Sequence, residues 1–134
     1  MEAKLRILLA RFGTGHEKAL LRLARTCSEA GFEVICIADS DPRAIVVSAI
    51  QECVDHIGIT TLPGASVEDF RRLFDLLRQE GLQDIRITAG GIFPQKDIPA
   101  ILEMGISQFF PGSSIYGKIE AWKALKGERL SPTP

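Results

Sequence analysis

Short, nearly continuous apolar runs alternate along this 134-residue chain with longer segments of helical spacing, and that alternation restricts its fold more than any other feature. The runs are Leu5–Ala10, Glu33–Ala38, His56–Thr60, Ile85–Ala89 and Gln108–Phe110. The segments between and after them are His16–Ala30, Pro42–Cys53, Ser66–Glu80, Gln95–Met104 and Ser114–Lys126. Strands covered by helices on both faces lose the polar alternation of a half-solvated strand. Strands that alternate with helices build a parallel sheet. The pattern therefore predicts an α/β, flavodoxin-like (Rossmann-like) three-layer sandwich with five parallel strands in the order 2-1-3-4-5. One domain over residues 1–126 accounts for the pattern, with 127–134 as a frayed C-terminal tail.

The punctuation agrees with this layout. Ala-Gly-Phe at 30–32, Glu-Gly-Leu at 80–82 and Met-Gly-Ile at 104–106 each put a glycine where a left-handed helix cap belongs. Ser40 and Asp41 precede Pro42, a cap followed by a first-turn proline, and Ser66 with Asp69 has the spacing of a capping pair. In the third helical segment Val67, Phe70, Leu73, Phe74 and Leu77 recur at spacings of three and four, one apolar face for the sheet.

Composition narrows the function classes. A formal net charge of −1, with no basic block, gives no electrostatic footing for nucleic acid or an anionic membrane surface. The apolar run in MEAKLRILLA is too short for a signal peptide or a membrane span, so the expected location is cytoplasmic. Cys27, Cys36 and Cys53 lack CxxC spacing and lie in apolar stretches, which predicts buried free thiols. His56, directly after Asp55, reads as an ordinary edge or turn histidine.

In a sheet of this order, ligands sit beyond the carboxyl ends of the strands at the switch point beside the first strand. The loops there read RFGTGH, TTLPGA, AGGIFPQ and FPGSS, and all are rich in Gly, Ser or Thr. Such residues let the backbone approach a ligand closely. They imply a shallow, nearly neutral cleft for a large flat or elongated molecule. A phosphorelay receiver needs an acidic pair after the first strand, an acceptor Asp after the third and a Lys after the fifth. Those places hold Arg11-Phe12, Thr60-Thr61 and Pro111-Gly112, so that chemistry fails. A flavodoxin presents aromatic residues to its flavin from the later loops, whereas Tyr116 and Trp122 fall in the last helical segment. No GxxxxGK[ST] or GxGxxG is present, and no cysteine has an evident histidine partner.

The remaining combination is specific: a histidine after the first strand, Thr60-Thr61-Leu62 closing the third, Gly90-Gly91-Ile92 after the fourth and Phe109-Phe110-Pro111-Gly112-Ser113 after the fifth. From about Lys4 to Leu125 the chain resembles the cobalamin-binding domain of the acyl-CoA mutases, methylmalonyl-CoA mutase and its relatives. The family's motifs are Asp-x-His-x-x-Gly, Ser-x-Leu, Gly-Gly and a Phe-Gly-Pro-Gly-Thr loop. Gly90-Gly91 is intact. Thr14 stands where the family has aspartate, with one residue apparently missing from the loop, and Ala19 stands where it has glycine.

The resemblance implies a channel for the cofactor's nucleotide tail, lined by Gly13, Thr14, Gly15, His16 and Ala19 on one side. Thr60, Thr61, Leu62, Gly90, Gly91 and Ile92 follow from the middle strands, and Phe110, Pro111, Gly112 and Ser113 from the last. It implies Thr60 as a hydroxyl for the buried base, backbone amides at the last helix start for polar side groups, and His16 as the lower ligand to cobalt. Phe12, Phe93 and Phe110 are further candidate contacts. Three readings of His16 stay open: axial ligand, loop histidine in a domain that binds cobalamin without it, and structural residue in a domain that has lost its cofactor.

On this resemblance the chain is a cobalamin-binding subunit, with adenosylcobalamin as the expected form, of an acyl-CoA mutase. It is not active alone and works with a separate large, substrate-binding subunit as a hetero-oligomer, or forms a dimer. Two other classes stay open. One is a degenerate interaction or regulatory module without cofactor; the other is a corrinoid carrier for methyl transfer, a class that usually carries a helical cap ahead of the sheet.

Overall fold

The computed structural model describes residues 5–15, 17–112, 114–117 and 119. Strands β1 (Arg6–Phe12), β2 (Glu33–Cys36), β3 (His56–Thr61), β4 (Arg86–Gly91) and β5 (Gln108–Pro111) alternate with helices α1 (Glu17–Glu29), α2 (Pro42–Glu52), α3 (Val67–Gln79) and α4 (Ile98–Met104). A 3-10 turn, Gln95–Asp97, leads into α4. All neighbouring strands pair in parallel, in the order β2-β1-β3-β4-β5. The expected fold is therefore present, with element ends displaced by at most two residues except at α4, whose expected first turn, Gln95–Asp97, is 3-10. Of the last expected helix, Tyr116, Gly117 and Ile119 are helical. His16, Ser113, Trp122 and the tail 127–134 lie outside the described residues.

Local chemistry sets the element boundaries. The Asp41 carboxylate accepts a 3.0 Å hydrogen bond from the Arg43 backbone N–H, and Pro42 opens α2. The Asp69 carboxylate accepts from the Ser66 N–H at 3.0 Å, closing the capping box of α3. Gly31, Gly81 and Gly105 turn the chain after α1, α3 and α4 with φ of +104°, +71° and +138°, where a Cβ would be strained.

Two cores flank the sheet. The larger joins Leu8, Ala10, Ile57, Ile59, Ile87 and Ala89 to α2, α3 and α4. Phe70, Leu73 and Leu77 of α3 are fully sequestered there, while Val67 and Phe74 are half-buried at its margin. Phe70 sits edge-on between Phe12 (5.0 Å between centroids) and Phe93 (5.6 Å). The smaller core joins Ile7 and Leu9 to Leu20, Leu23 and Cys27 of α1 and to Ile119. Cys27 is buried, and burial pushes its thiol up to about 11.

Two expectations are corrected. Cys36 and Cys53 are exposed rather than buried. Cys36 ends β2, a four-residue edge strand, and Cys53 is the left-handed cap that follows α2. His56 is not an edge residue: β3 is the central strand of the sheet, and His56 is completely buried on it.

Candidate functional site

Alternation along a strand sends residues i and i+2 to the same face. On β3 and β4 the isoleucines Ile57, Ile59 and Ile87 share one face. Gly58 and Thr60 of β3, with Thr88 and Gly90 of β4, share the other. The two strands pair Gly58 with Thr88 and Thr60 with Gly90, so the small residues lie side by side. A cavity of about 270 Å³ occupies the space they leave. At ~30 Å³ per molecule that is the volume of roughly nine waters.

The floor of this slot runs along β3 from Gly58 to Leu62, about 13 Å at ~3.3 Å per residue. Ala19, Arg22 and Leu23 of α1 form one wall, and Gly112, Ile115 and Tyr116, beyond β5, form the other. The Arg22 guanidinium lies 4.8 Å from the centre of the Tyr116 ring, a cation–π contact between the two walls. The Tyr116 hydroxyl is pushed up from its ordinary pKa by burial, partly opposed by the Arg22 charge.

None of the three glycines on this floor has room for a Cβ against its protein neighbours. A methyl at Gly58 would lie 2.9 Å from Leu9 Cδ2, and one at Gly90 would lie 2.8 Å from the Phe110 carbonyl oxygen. At Gly91 it would meet the Thr61 carbonyl oxygen at 2.5 Å. Thr61 Oγ1 donates to the Gly90 carbonyl at 3.1 Å and holds the middle strands in place. At the Thr88 end of the lining, His56 Nε2 and Thr88 Oγ1 share a 2.8 Å hydrogen bond. Burial first, and the Arg86 charge second, hold the His56 imidazole down at about 3, so it is neutral near pH 7.

The residues singled out from sequence divide by position. Ala19, Thr60, Thr61, Leu62, Gly90, Gly91, Ile92 and Gly112 all line the cavity. Gly13, Thr14 and Gly15 form the loop after β1, at the carboxyl edge of the sheet and outside the lining. The Thr14 N–H donates to the Pro63 carbonyl at 3.0 Å, which ties this loop to the one after β3. A Cβ at Gly13 would meet the Leu62 carbonyl oxygen at 2.4 Å, so only glycine allows that approach. Phe110 is buried in register with Gly90 but does not line the slot, and Pro111 is exposed beside it. Phe12 and Phe93 belong to the opposite core and make no wall of this cavity.

Sequence reasoning missed Gly58, Thr88, Arg22, Leu23, Ile115 and Tyr116. They come from strand interiors and helix faces, not from the loops on which attention fell. The signal was present: Gly58-x-Thr60 and Thr88-x-Gly90 are period-two runs of small residues inside otherwise apolar strands. Among the described residues, no group of three His, Cys, Asp or Glu side chains is placed to hold a metal ion. No described helix is long and apolar enough to cross a membrane.

A five-stranded parallel sheet with a slot running down from its switch point is the architecture of a flavodoxin-like ligand-binding domain. The family model for the B12 binding domain matches residues 6–116, and the chain belongs to that family. It is 33% identical to the 2-hydroxyisobutanoyl-CoA mutase small subunit of Aquincola tertiaricarbonis, over 96% of this chain and 98% of that protein. It is 31% identical to the mitochondrial methylmalonyl-CoA mutase of Homo sapiens, covering 82% of this chain but only 15% of that enzyme. Among solved structures, a cobalamin-binding protein from Desulfitobacterium hafniense shares the fold, with a TM-score of 0.71 at 18% identity over 90% of this chain and 58% of that one.

Proposed function

We propose that this chain is the cobalamin-binding small subunit of an adenosylcobalamin-dependent acyl-CoA mutase, assembled with a separate large subunit that carries the acyl-CoA site. The observation that carries this reading is the cavity of about 270 Å³ floored by the small residues Gly58, Thr60, Thr88 and Gly90 on one face of the central strands, room for a planar base beside the sheet. End-to-end similarity to a mutase small subunit supports the assembly. The three free thiols suit the reducing cytoplasm.

Adenosylcobalamin, when bound, supplies a cobalt–carbon bond whose homolysis initiates radical rearrangement. The chain's own residues hold the cofactor and shield it. Leu23, Leu62 and Ile115 would exclude water from the base, and the Thr60 hydroxyl would offer it a hydrogen bond. Ile92, 62% exposed at the carboxyl edge, would present apolar surface to the corrin. In this reading His16 would supply an imidazole nitrogen to cobalt. Thr14 replaces a charged orienting partner with a hydroxyl, and losing such a partner weakens a metal site about 10–100-fold. The large subunit would supply the acyl-CoA site beside the bound cofactor. The interaction-module reading draws on the same Thr14 and on Ala19, whose methyl occupies the α1 wall of the slot.

Titration of the protein with adenosylcobalamin, followed by visible absorption, tests this assignment. The expected result is a shift to the base-off, histidine-ligated spectrum, abolished by His16→Ala while the bound fraction stays measurable. Absence of uptake, with and without the large subunit, overturns it in favour of the interaction module.

A further inference from the structure

Among the described residues β2 ends the sheet, with β1 as its neighbour on one side. The Glu33 and Ile37 N–H groups donate to the Leu5 and Leu9 carbonyls at 2.9 and 3.0 Å. Backbone groups of a strand turn to alternate sides, so the N–H and C=O of Val34 and Cys36 point outward. Soluble chains guard such an edge with lysine, proline or a bulge. β2 reads Glu-Val-Ile-Cys, and its one charge, Glu33, is held by Arg6 Nε of its own chain at 2.8 Å. Beside the edge lies an apolar groove of about 230 Å³ between α1 and β2, lined by Leu20, Leu21, Cys36 and Ala38 with Arg11. Leu21, on its rim, is 64% exposed, more than any other large apolar side chain described.

We propose that β2 is a self-association edge. A second copy of this chain pairs with it antiparallel about a twofold axis at Ile35, joining two five-stranded sheets into one. In that register Val34 stands opposite the partner's Cys36 and exchanges both backbone hydrogen bonds with it. The axis repeats the exchange, as an isologous contact requires. Glu33 falls opposite the partner's Ile37, so no like charges meet across the strands. Val34 lies on the α1 face with the smaller core, and each copy brings it to the other's groove beside the outward Cys36. The slot over β3 and β4 lies beyond β1 and stays free, so this inference is independent of the cobalamin reading.

Cysteine cross-linking and sedimentation velocity on the full chain test it. Opposite residues of a hydrogen-bonded antiparallel pair have Cα atoms about 5.5 Å apart, within disulfide reach. In a Cys53→Ser background, Val34→Cys is expected to cross-link to the partner's Cys36 on mild oxidation, and adding Cys36→Ser should abolish the product. Without oxidation the wild type should sediment as a monomer–dimer equilibrium. Leu21→Glu sets a charge on the groove's rim and should raise the dissociation constant at least about tenfold, while Leu102→Glu on α4 should leave it within about threefold. Absence of the cross-link, a wild type that is monomeric at every concentration, or a dimer weakened by Leu102→Glu and not by Leu21→Glu overturns the inference. So does protection of the Val34 and Cys36 amides from hydrogen exchange that appears only when a mutase large subunit is added, which would give the edge to that chain. Cobalamin titration of the same variants keeps the two readings apart, since neither Leu21 nor Val34 lines the slot.

Discussion

The two faces of the same pair of central strands have been put to opposite uses. Toward α2, α3 and α4, β3 and β4 present Ile57, Ile59, Ile87 and Ala89, and the space is filled by an aromatic cluster around Phe70. Toward α1, the intervening residues are Gly58, Thr60, Thr88 and Gly90, and the space is a cavity of about 270 Å³. One face supplies apolar burial at about 1.5–3 kcal/mol per large side chain, and the other forgoes it to keep room. Packed core and open cavity are thereby separated by one residue of register, so the proposed binding and the stability should each respond to substitution on its own side.

The largest effect is expected on the filled face. Phe70→Ala removes a fully buried ring from between Phe12 and Phe93, and should cost about 3–5 kcal/mol in urea unfolding. Corrinoid affinity, measured below the unfolding transition, should stay within threefold of the wild type. A large loss of affinity there would break the separation between the faces.

The second test uses the buried histidine of the open face. His56 titrates at about 3 when folded and near 6.5 when unfolded. The folded chain therefore binds fewer protons between those values. The His56 contribution is fully present above about pH 6.5 and is lost as pH falls toward 3, by on the order of 4 kcal/mol. Arg86 is the charged group that adds to the burial cost. Urea melts from pH 7 to pH 3 should show this slope, and His56→Gln should flatten it.

The smallest effect on stability, and the sharpest on binding, is expected from Gly58→Ala. Its methyl would lie 2.9 Å from the buried Leu9 Cδ2, which must give way, so unfolding free energy should fall by about 1–3 kcal/mol. Cobalamin uptake in dialysis should fall at least tenfold. Unchanged uptake would mean that the tail does not enter over Gly58.

The fold was legible because its signals are local. Glycines after α1, α3 and α4, Asp41-Pro42 before α2 and Ser66 with Asp69 at α3 each follow from the geometry of a few neighbouring residues. The site was half legible. Loop motifs led to Thr60, Leu62, Gly90 and Gly112, which do line the slot, but they led equally to Gly13, Thr14 and Gly15, which stand at its edge. The remainder depends on which strand neighbours which. Thr88 and Gly58 become partners only through the β3–β4 register, thirty residues apart in sequence. Arg22 meets Tyr116 only when α1 and the segment after β5 close over the sheet. Cys36 looked buried from its apolar neighbours because an edge position is a property of the whole sheet, invisible from the strand itself.

A floor defined by missing carbon atoms is easily erased. Were the slot to hold a ligand, a duplicated copy of such a chain would shed it through one alanine at Gly58, where the added atom meets the end of a side chain and not backbone. Empty descendants and loaded ones would then differ by a few atoms at the centre of the sheet. They would be told apart by what they carry and not by their outline.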